Sequence, residues 1–190
     1  MSRITIKNKV CNANKKVVSK NYYDCISNGY EELYKQEQIK KLLIVKGLLN
    51  LKKEDSLLDV GSGIGLSAEI FDCKITMLDN SRELLRVAES KILDKNRIDL
   101  VLGKAEKMPF NNEEFDAAIC ITAMHNFSSP SKALREIRRV TKKKKGNIVI
   151  SVLKKSKKRE KIIKLFERCF KIKKIVDEIN DLIFCLERKE

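Results

Sequence analysis

An apolar run, Ser56-Leu57-Leu58-Asp59-Val60, ends in Gly61-Ser62-Gly63-Ile64-Gly65. A run this short and apolar on both faces reads as a strand buried in a sheet. Glycine at every second position after it lets the backbone turn sharply and approach a ligand closely. Such a loop belongs at the carboxyl edge of an open α/β sheet, where these folds bind ligands. The downstream pattern predicts a short helix at Leu66–Phe71, a strand at Lys74–Leu78 and a helix at Ser81–Ile92 capped at Asn80/Ser81. Strands follow at Arg97–Leu102, Phe115–Ile121 and Asn147–Leu153, with a helix at Ser131–Thr141 before the last. Strands alternating with helices give a parallel sheet covered on both sides. The tail adds a helix at Lys157–Phe170 and two runs, Ile172–Val176 and Leu182–Leu186, close enough for antiparallel edge strands.

Ahead of the glycine loop, Tyr30, Leu33, Tyr34, Ile39, Leu42, Leu43, Val45, Leu48 and Leu49 recur at helical spacing. Glu31, Glu32, Lys35, Lys40 and Lys41 fall on the other faces and are expected in solvent. Residues 1–20 are basic and weakly patterned, and read as a loose arm before one domain over 21–190. The 190 residues, 43% of them apolar, suffice for one core. No apolar run approaches the roughly 18 residues that cross a bilayer, and none follows the basic N-terminus, so neither a membrane span nor a secretory signal is expected. Six scattered cysteines with no Cys-x-x-Cys spacing argue against a zinc site and against a disulfide framework. The expectation is a cytoplasmic protein without a metal.

Charge is uneven. The net +15 divides into +5 over residues 1–60, −1 over 61–135 and +11 over 136–190. Lysines that neutralise phosphates release counterions, so this asymmetry fits a polyanion partner. A lysine- and isoleucine-rich composition, poor in glycine and proline, gives the same excess as plain surface charge. Both readings stand on charge alone.

The glycine loop has further company. Asp79 ends the second strand, 20 residues after Asp59, where a carboxylate can accept both hydroxyls of a ribose. The spacing is G-x-G-x-G, without the G-x-G-x-x-G of pyrophosphate binders, and an acidic residue stands two positions before it. A nucleoside ligand without a diphosphate is favoured, and a dinucleotide oxidoreductase is disfavoured.

Four segments in order resemble the class I S-adenosylmethionine-dependent methyltransferases, within them the UbiE-like, type 11 group and most of all its small archaeal members. LLDVGSGIG is similar to the family's first motif and ITMLDNSRELLRVAESK to its second-strand acidic motif. LVLGKAEKMPFNNEEFDAAICITAMHNF is similar to the segment around adenine, and ALREIRRVTKKKKGNIVIS to the approach to the fifth strand. The resemblance covers about Tyr22 to Leu153. It implies a doubly wound, Rossmann-like sheet of seven mostly parallel strands with an antiparallel C-terminal hairpin, and S-adenosyl-L-methionine as cofactor. By the family's pattern, Gly61, Ser62 and Gly63 present backbone to the methionine moiety, with Asp59 near its ammonium. Asp79 binds the ribose, Asn80 flanks the adenine, and Lys104, Ala105 and Glu106 hold the adenine edge. Lys104 departs from the pattern: an Asp or Asn commonly accepts there from the exocyclic amine, and lysine has donors only. Thr122 faces the methionine end, Asp116 braces its loop, and Tyr23, with Tyr30 and Tyr34, belongs to a segment that in relatives resembles a lid, though plain core aromatics would show the same pattern.

His125, the one histidine, follows the fourth strand at the catalytic edge, where an imidazole suits a general base or an acceptor-orienting group, the other reading being a packed loop residue. A base is needed only if the acceptor must lose a proton, since methyl transfer demands alignment above all. No N/D-P-P-Y segment follows that strand, which disfavours an exocyclic amino acceptor of that type. Lys142–Lys145 precede the fifth strand and so stand at the far edge of the sheet. Lys154, Lys155, Lys157, Lys158 and Arg159 follow it and line the rim, where they can steer an anionic acceptor. The function expected is methyl transfer to an acceptor, RNA or a small molecule. The competing expectation is a non-catalytic, basic RNA-binding protein with a degenerate nucleoside site.

Overall fold

The computed structural model describes residues 35–94, 96–143 and 146–189. The basic arm over 1–20 and the expected lid tyrosines, Tyr23, Tyr30 and Tyr34, lie outside them. A helix over 35–49, α1, leads into β1 (Ser56–Val60), α2 (Ser67–Ile70), β2 (Lys74–Asp79), α3 (Arg82–Lys91) and β3 (Ile98–Leu102). Then come β4 (Ala117–Cys120), a 3-10 turn (Met124–Asn126), α4 (Pro130–Val140), β5 (Asn147–Leu153), α5 (Arg159–Cys169), β6 (Phe170–Asp177) and β7 (Asp181–Arg188). Every expected element among these residues is present, with ends shifted by a few residues where turn hydrogen bonds take over from the apolar pattern.

The strands form one sheet in the order β3-β2-β1-β4-β5-β7-β6. β1 through β5 pair in parallel, while β7 pairs antiparallel with both β5 and β6. Because β1 has β2 on one side and β4 on the other, the order reverses there. The loops leaving β1 and β4 therefore part and open a crevice at their carboxyl ends. The antiparallel hairpin has its own consequence. Running back along β5, it places Asp181, the first residue of β7, opposite Leu153 at that same carboxyl edge.

Alternate residues feed two cores. Leu58, Val60, Ala118, Ile148 and Ile150 pack under α4 and α5 through Leu134, Ile137, Ile162 and Phe166. Leu57, Ile119, Val149 and Ile183 pack on the other face under α1 and α3 through Leu42, Val45, Leu49 and Leu84. α3 starts as the sequence predicts, with Leu84 N–H donating to the Ser81 hydroxyl at 3.2 Å. One expectation fails. Lys41 is not on a solvent face of α1 but fully buried, on the stripe of Gln38, Leu42, Val45 and Leu49 that faces the sheet. It is held there by polar groups on the edge of the sheet.

Candidate functional site

The glycine loop folds over the end of β2. Gly61 N–H donates to Leu78 O at 2.7 Å, and Gly63 N–H donates to Asp79 Oδ2 at 2.9 Å. Gly61 has φ +77°, and a Cβ there would meet the Ala123 Cβ at 2.6 Å, so the loop after β4 touches the loop after β1 without a side chain between them. Asp79 Oδ1 accepts from Ser81 N–H at 2.8 Å. Backbone donors reach both oxygens and fix this buried carboxylate at the end of β2.

Two cavities meet at this loop. The larger, about 390 Å³, is lined by Gly61, Gly63, Asp79, Asn80, Lys104, Ala105, Glu106 and Thr122, and farther out by Asn126, Phe127 and Lys158. The smaller is lined by Gln38, Asp59, Gly61, Ser62, Gly63 and Ser67. Asp59 accepts from the Ser67 hydroxyl at 2.6 Å. Burial, opposed by that hydrogen bond and reinforced by the neighbouring Asp79, pushes its carboxyl up to about 7. Ser62 Oγ is buried with no partner. An orphaned hydroxyl beside a carboxylate that lacks a cation suits a zwitterionic amino-acid group, and Asp79 in the adjoining cavity suits a ribose. The donor set therefore fits S-adenosylmethionine.

The expected cofactor residues within the described chain, Asp59, Gly61, Ser62, Gly63, Asp79, Asn80, Lys104, Ala105, Glu106 and Thr122, all line one cavity or the other. Glu106 Oε1 accepts from Ser128 Oγ at 2.7 Å and from Ser129 N–H at 3.1 Å, capping α4. Burial raises its carboxyl, but those hydrogen bonds outweigh it and hold the group below the ordinary glutamate value. Asp116 accepts from Ser56 N–H and Oγ and from Lys142 Nζ, all at the opposite edge of the sheet, where it braces.

His125 lines neither cavity. Its Nδ1 is buried without a partner, and burial holds the imidazole below its ordinary value, with Lys158 and Lys41 adding to that effect and Asp181 opposing it. The rim cations are largely engaged. Lys154 pairs with Asp177, Arg159 donates to Lys154 O, and Lys158 Nζ donates to His125 O and Phe127 O. Lys155, Lys157 and Lys158 are exposed.

A polar cluster that the sequence reading missed lies behind Thr122. Lys41 Nζ pairs with Glu37 at 2.6 Å and with the fully buried Asp181, and donates to Thr122 Oγ1 at 3.1 Å. Thr122 Oγ1 donates in turn to Gln38 Oε1 at 3.3 Å, and Thr122 N–H donates to Ser151 Oγ at 2.7 Å. Ser151 Oγ donates to Asp181 Oδ1 at 3.2 Å. These bonds hold Thr122 at φ +54°, a strained value for a β-branched residue. One signal was available: Lys41 stands three residues after Gln38 and four before Val45, on the buried stripe.

Comparison with known proteins agrees with this geometry. Residues 58–150 match the family model of a methyltransferase domain. An uncharacterized protein of Methanocaldococcus jannaschii is 32% identical over 125 residues, 65% of this chain and 47% of that protein. A demethylmenaquinone methyltransferase of Thermotoga maritima is 32% identical over 115 residues, 58% of this chain and 48% of that protein. The chain thus spans about half the length of these two curated relatives. An S-adenosylmethionine-dependent methyltransferase of Aquifex aeolicus superposes with a TM-score of 0.67 at 18% identity, over 88% of this chain and 97% of its own. With its motifs in order, its sheet reversing at β1 and its two cavities meeting at the glycine loop, the chain carries over residues 58–150 the methyltransferase domain of the class I S-adenosylmethionine-dependent enzymes, in the UbiE-like, type 11 group.

Proposed function

We propose that this protein moves a methyl group from S-adenosylmethionine to an acceptor, and that it does so in the cytoplasm. The observation that carries the reading is the pair of cavities joined at Gly61 and Gly63, one with Asp79 and the other with Asp59 and Ser62. Asp79, lining the larger cavity at the end of β2, takes the ribose hydroxyls. Asn80 and the Lys104–Glu106 turn flank the adenine, with Glu106 occupied by Ser128 and Ser129 and Lys104 offering donors only. Asp59 pairs with the amino group, and Ser62 Oγ gains a partner in the carboxylate. When bound, the cofactor supplies an electrophilic methyl on a sulfonium. The chain's own task is to hold that methyl in line with the acceptor and exclude water. For an acceptor that must lose a proton, His125, beside this edge but outside the lining of both cavities, is the one imidazole that could serve as base, and burial holds it below its ordinary value.

Of the two acceptor classes, the structure lends more support to a small molecule than to RNA. Lys154, Lys158 and Arg159 hold loops together, which leaves Lys155 and Lys157 to meet a polyanion. The Thermotoga relative, named for a demethylmenaquinone substrate, supports the same class. Incubation with methyl-labelled cofactor against separated RNA, protein and small-molecule fractions of a cell extract tests it. Label in the small-molecule fraction is expected, and label confined to RNA would overturn the choice.

A further inference from the structure

The two cavities share Gly61, Gly63 and Ile121, and Thr122 and Gln38 stand on either side of that junction. A cofactor with its nucleoside end against Asp79 and its amino-acid end against Asp59 would have the sulfur that joins them at the junction. Both flanking residues are hydrogen-bonded into the cluster around Lys41. That cluster is unusual in its charge. Two carboxylates, Glu37 and Asp181, surround one ammonium, so it carries one net negative charge. Asp181 and Lys41 are wholly buried, which leaves little water to screen them. Of the other charged groups nearby, Lys155 is exposed and acts on Glu37, Lys158 is tied to two carbonyls at the rim, and Asp59 lines the smaller cavity with Gln38.

Resting on the cofactor reading above, we infer that the Glu37–Lys41–Asp181 cluster is a specificity device that makes the site prefer the cationic sulfonium of S-adenosylmethionine to the neutral thioether of S-adenosylhomocysteine. The physical reason is the charge that methyl transfer removes. Before transfer the sulfur bears a positive charge that the cluster attracts through Thr122 and Gln38. After transfer the sulfur is neutral and that attraction is gone, so the product is released more readily than the substrate. The arrangement needs a paired lysine. A bare carboxylate pair in this position would be too costly to bury, and Lys41 reduces two charges to one while fixing Thr122.

Calorimetric titration of the full chain with S-adenosylmethionine and with S-adenosylhomocysteine tests this without any acceptor. The readout is the ratio of the two dissociation constants. A unit charge one side chain from a ligand, at an effective dielectric of about 20–40, alters affinity about three- to thirtyfold. Glu37→Gln and Asp181→Asn each remove the net charge, so each should shift the ratio against S-adenosylmethionine by that amount while leaving S-adenosylhomocysteine affinity nearly unchanged. The double variant Lys41→Met/Asp181→Asn removes one charge of each sign and should keep the wild-type ratio within about twofold. Glu37 is partly exposed, so its variant is expected to fold even where a change at Asp181 is not tolerated. A ratio that ignores these substitutions, or single variants that weaken both ligands equally, overturns the inference and leaves the cofactor reading intact. A wild-type protein that binds neither ligand overturns the cofactor reading itself.

Discussion

Asp59 is the residue whose chemistry is most exposed to pH. Its carboxyl, ordinarily near 3.8, stands at about 7 because it is buried, so it is protonated below that value and ionised above it. Only the ionised form pairs with the cofactor's ammonium. S-Adenosylhomocysteine affinity should therefore fall as pH drops from 8 to 6, by up to about tenfold per unit below the midpoint, and Asp59→Asn should flatten the profile. Calorimetry across that range checks it. Gly61→Ala combines a positive φ with a 2.6 Å clash against Ala123. The change should lower stability by about 1–3 kcal/mol, read as a denaturant midpoint, and weaken cofactor binding at the same time. His125→Asn separates two roles. If the acceptor must lose a proton, activity loses an acid limb that lies below the ordinary imidazole range, together with most of its rate, whereas an unchanged profile shows that no base is required.

At the level of elements, the glycine loop, the strand–helix alternation and the terminal hairpin were all legible, because each rests on a local signal: glycine spacing, an apolar run, a short connection. The cluster at Lys41 was not. Buried lysine breaks the rule that sorts side chains by polarity, and its partners Thr122, Ser151 and Asp181 are brought together only by the sheet order. Asp181 reaches the carboxyl edge solely because β7 runs against β5. The sequence could place the two lysine runs on opposite edges, yet not show that Lys142 is bound to Asp116 or Lys154 to Asp177. That detail sets the next prediction. Replacing Lys155 and Lys157 by Ser should change activity and its salt dependence little for a small neutral acceptor, and Lys142→Ser should also do little beyond loosening the brace at Asp116. A steep loss of activity with salt, abolished by the Lys155/Lys157 substitutions alone, would return the acceptor to the polyanions.

For the whole molecule, the point where the strand order reverses decides everything else. It parts the loops after β1 and β4, sets Asp79 and Asp59 in adjoining cavities, and gives the α1 face of the sheet a polar end where Lys41 meets Asp181. Among the described residues no helix is long and apolar enough to cross a membrane, and no group of His, Cys, Asp and Glu could hold a metal ion. The cofactor site proposed above is built from backbone donors and two carboxylates. The most direct measurement is calorimetric titration of the purified protein and of Asp79→Ala with S-adenosylhomocysteine. The account predicts micromolar binding by the wild type and none detectable in the variant. Absence of wild-type binding, or binding that Asp79→Ala leaves unaltered, would contradict it.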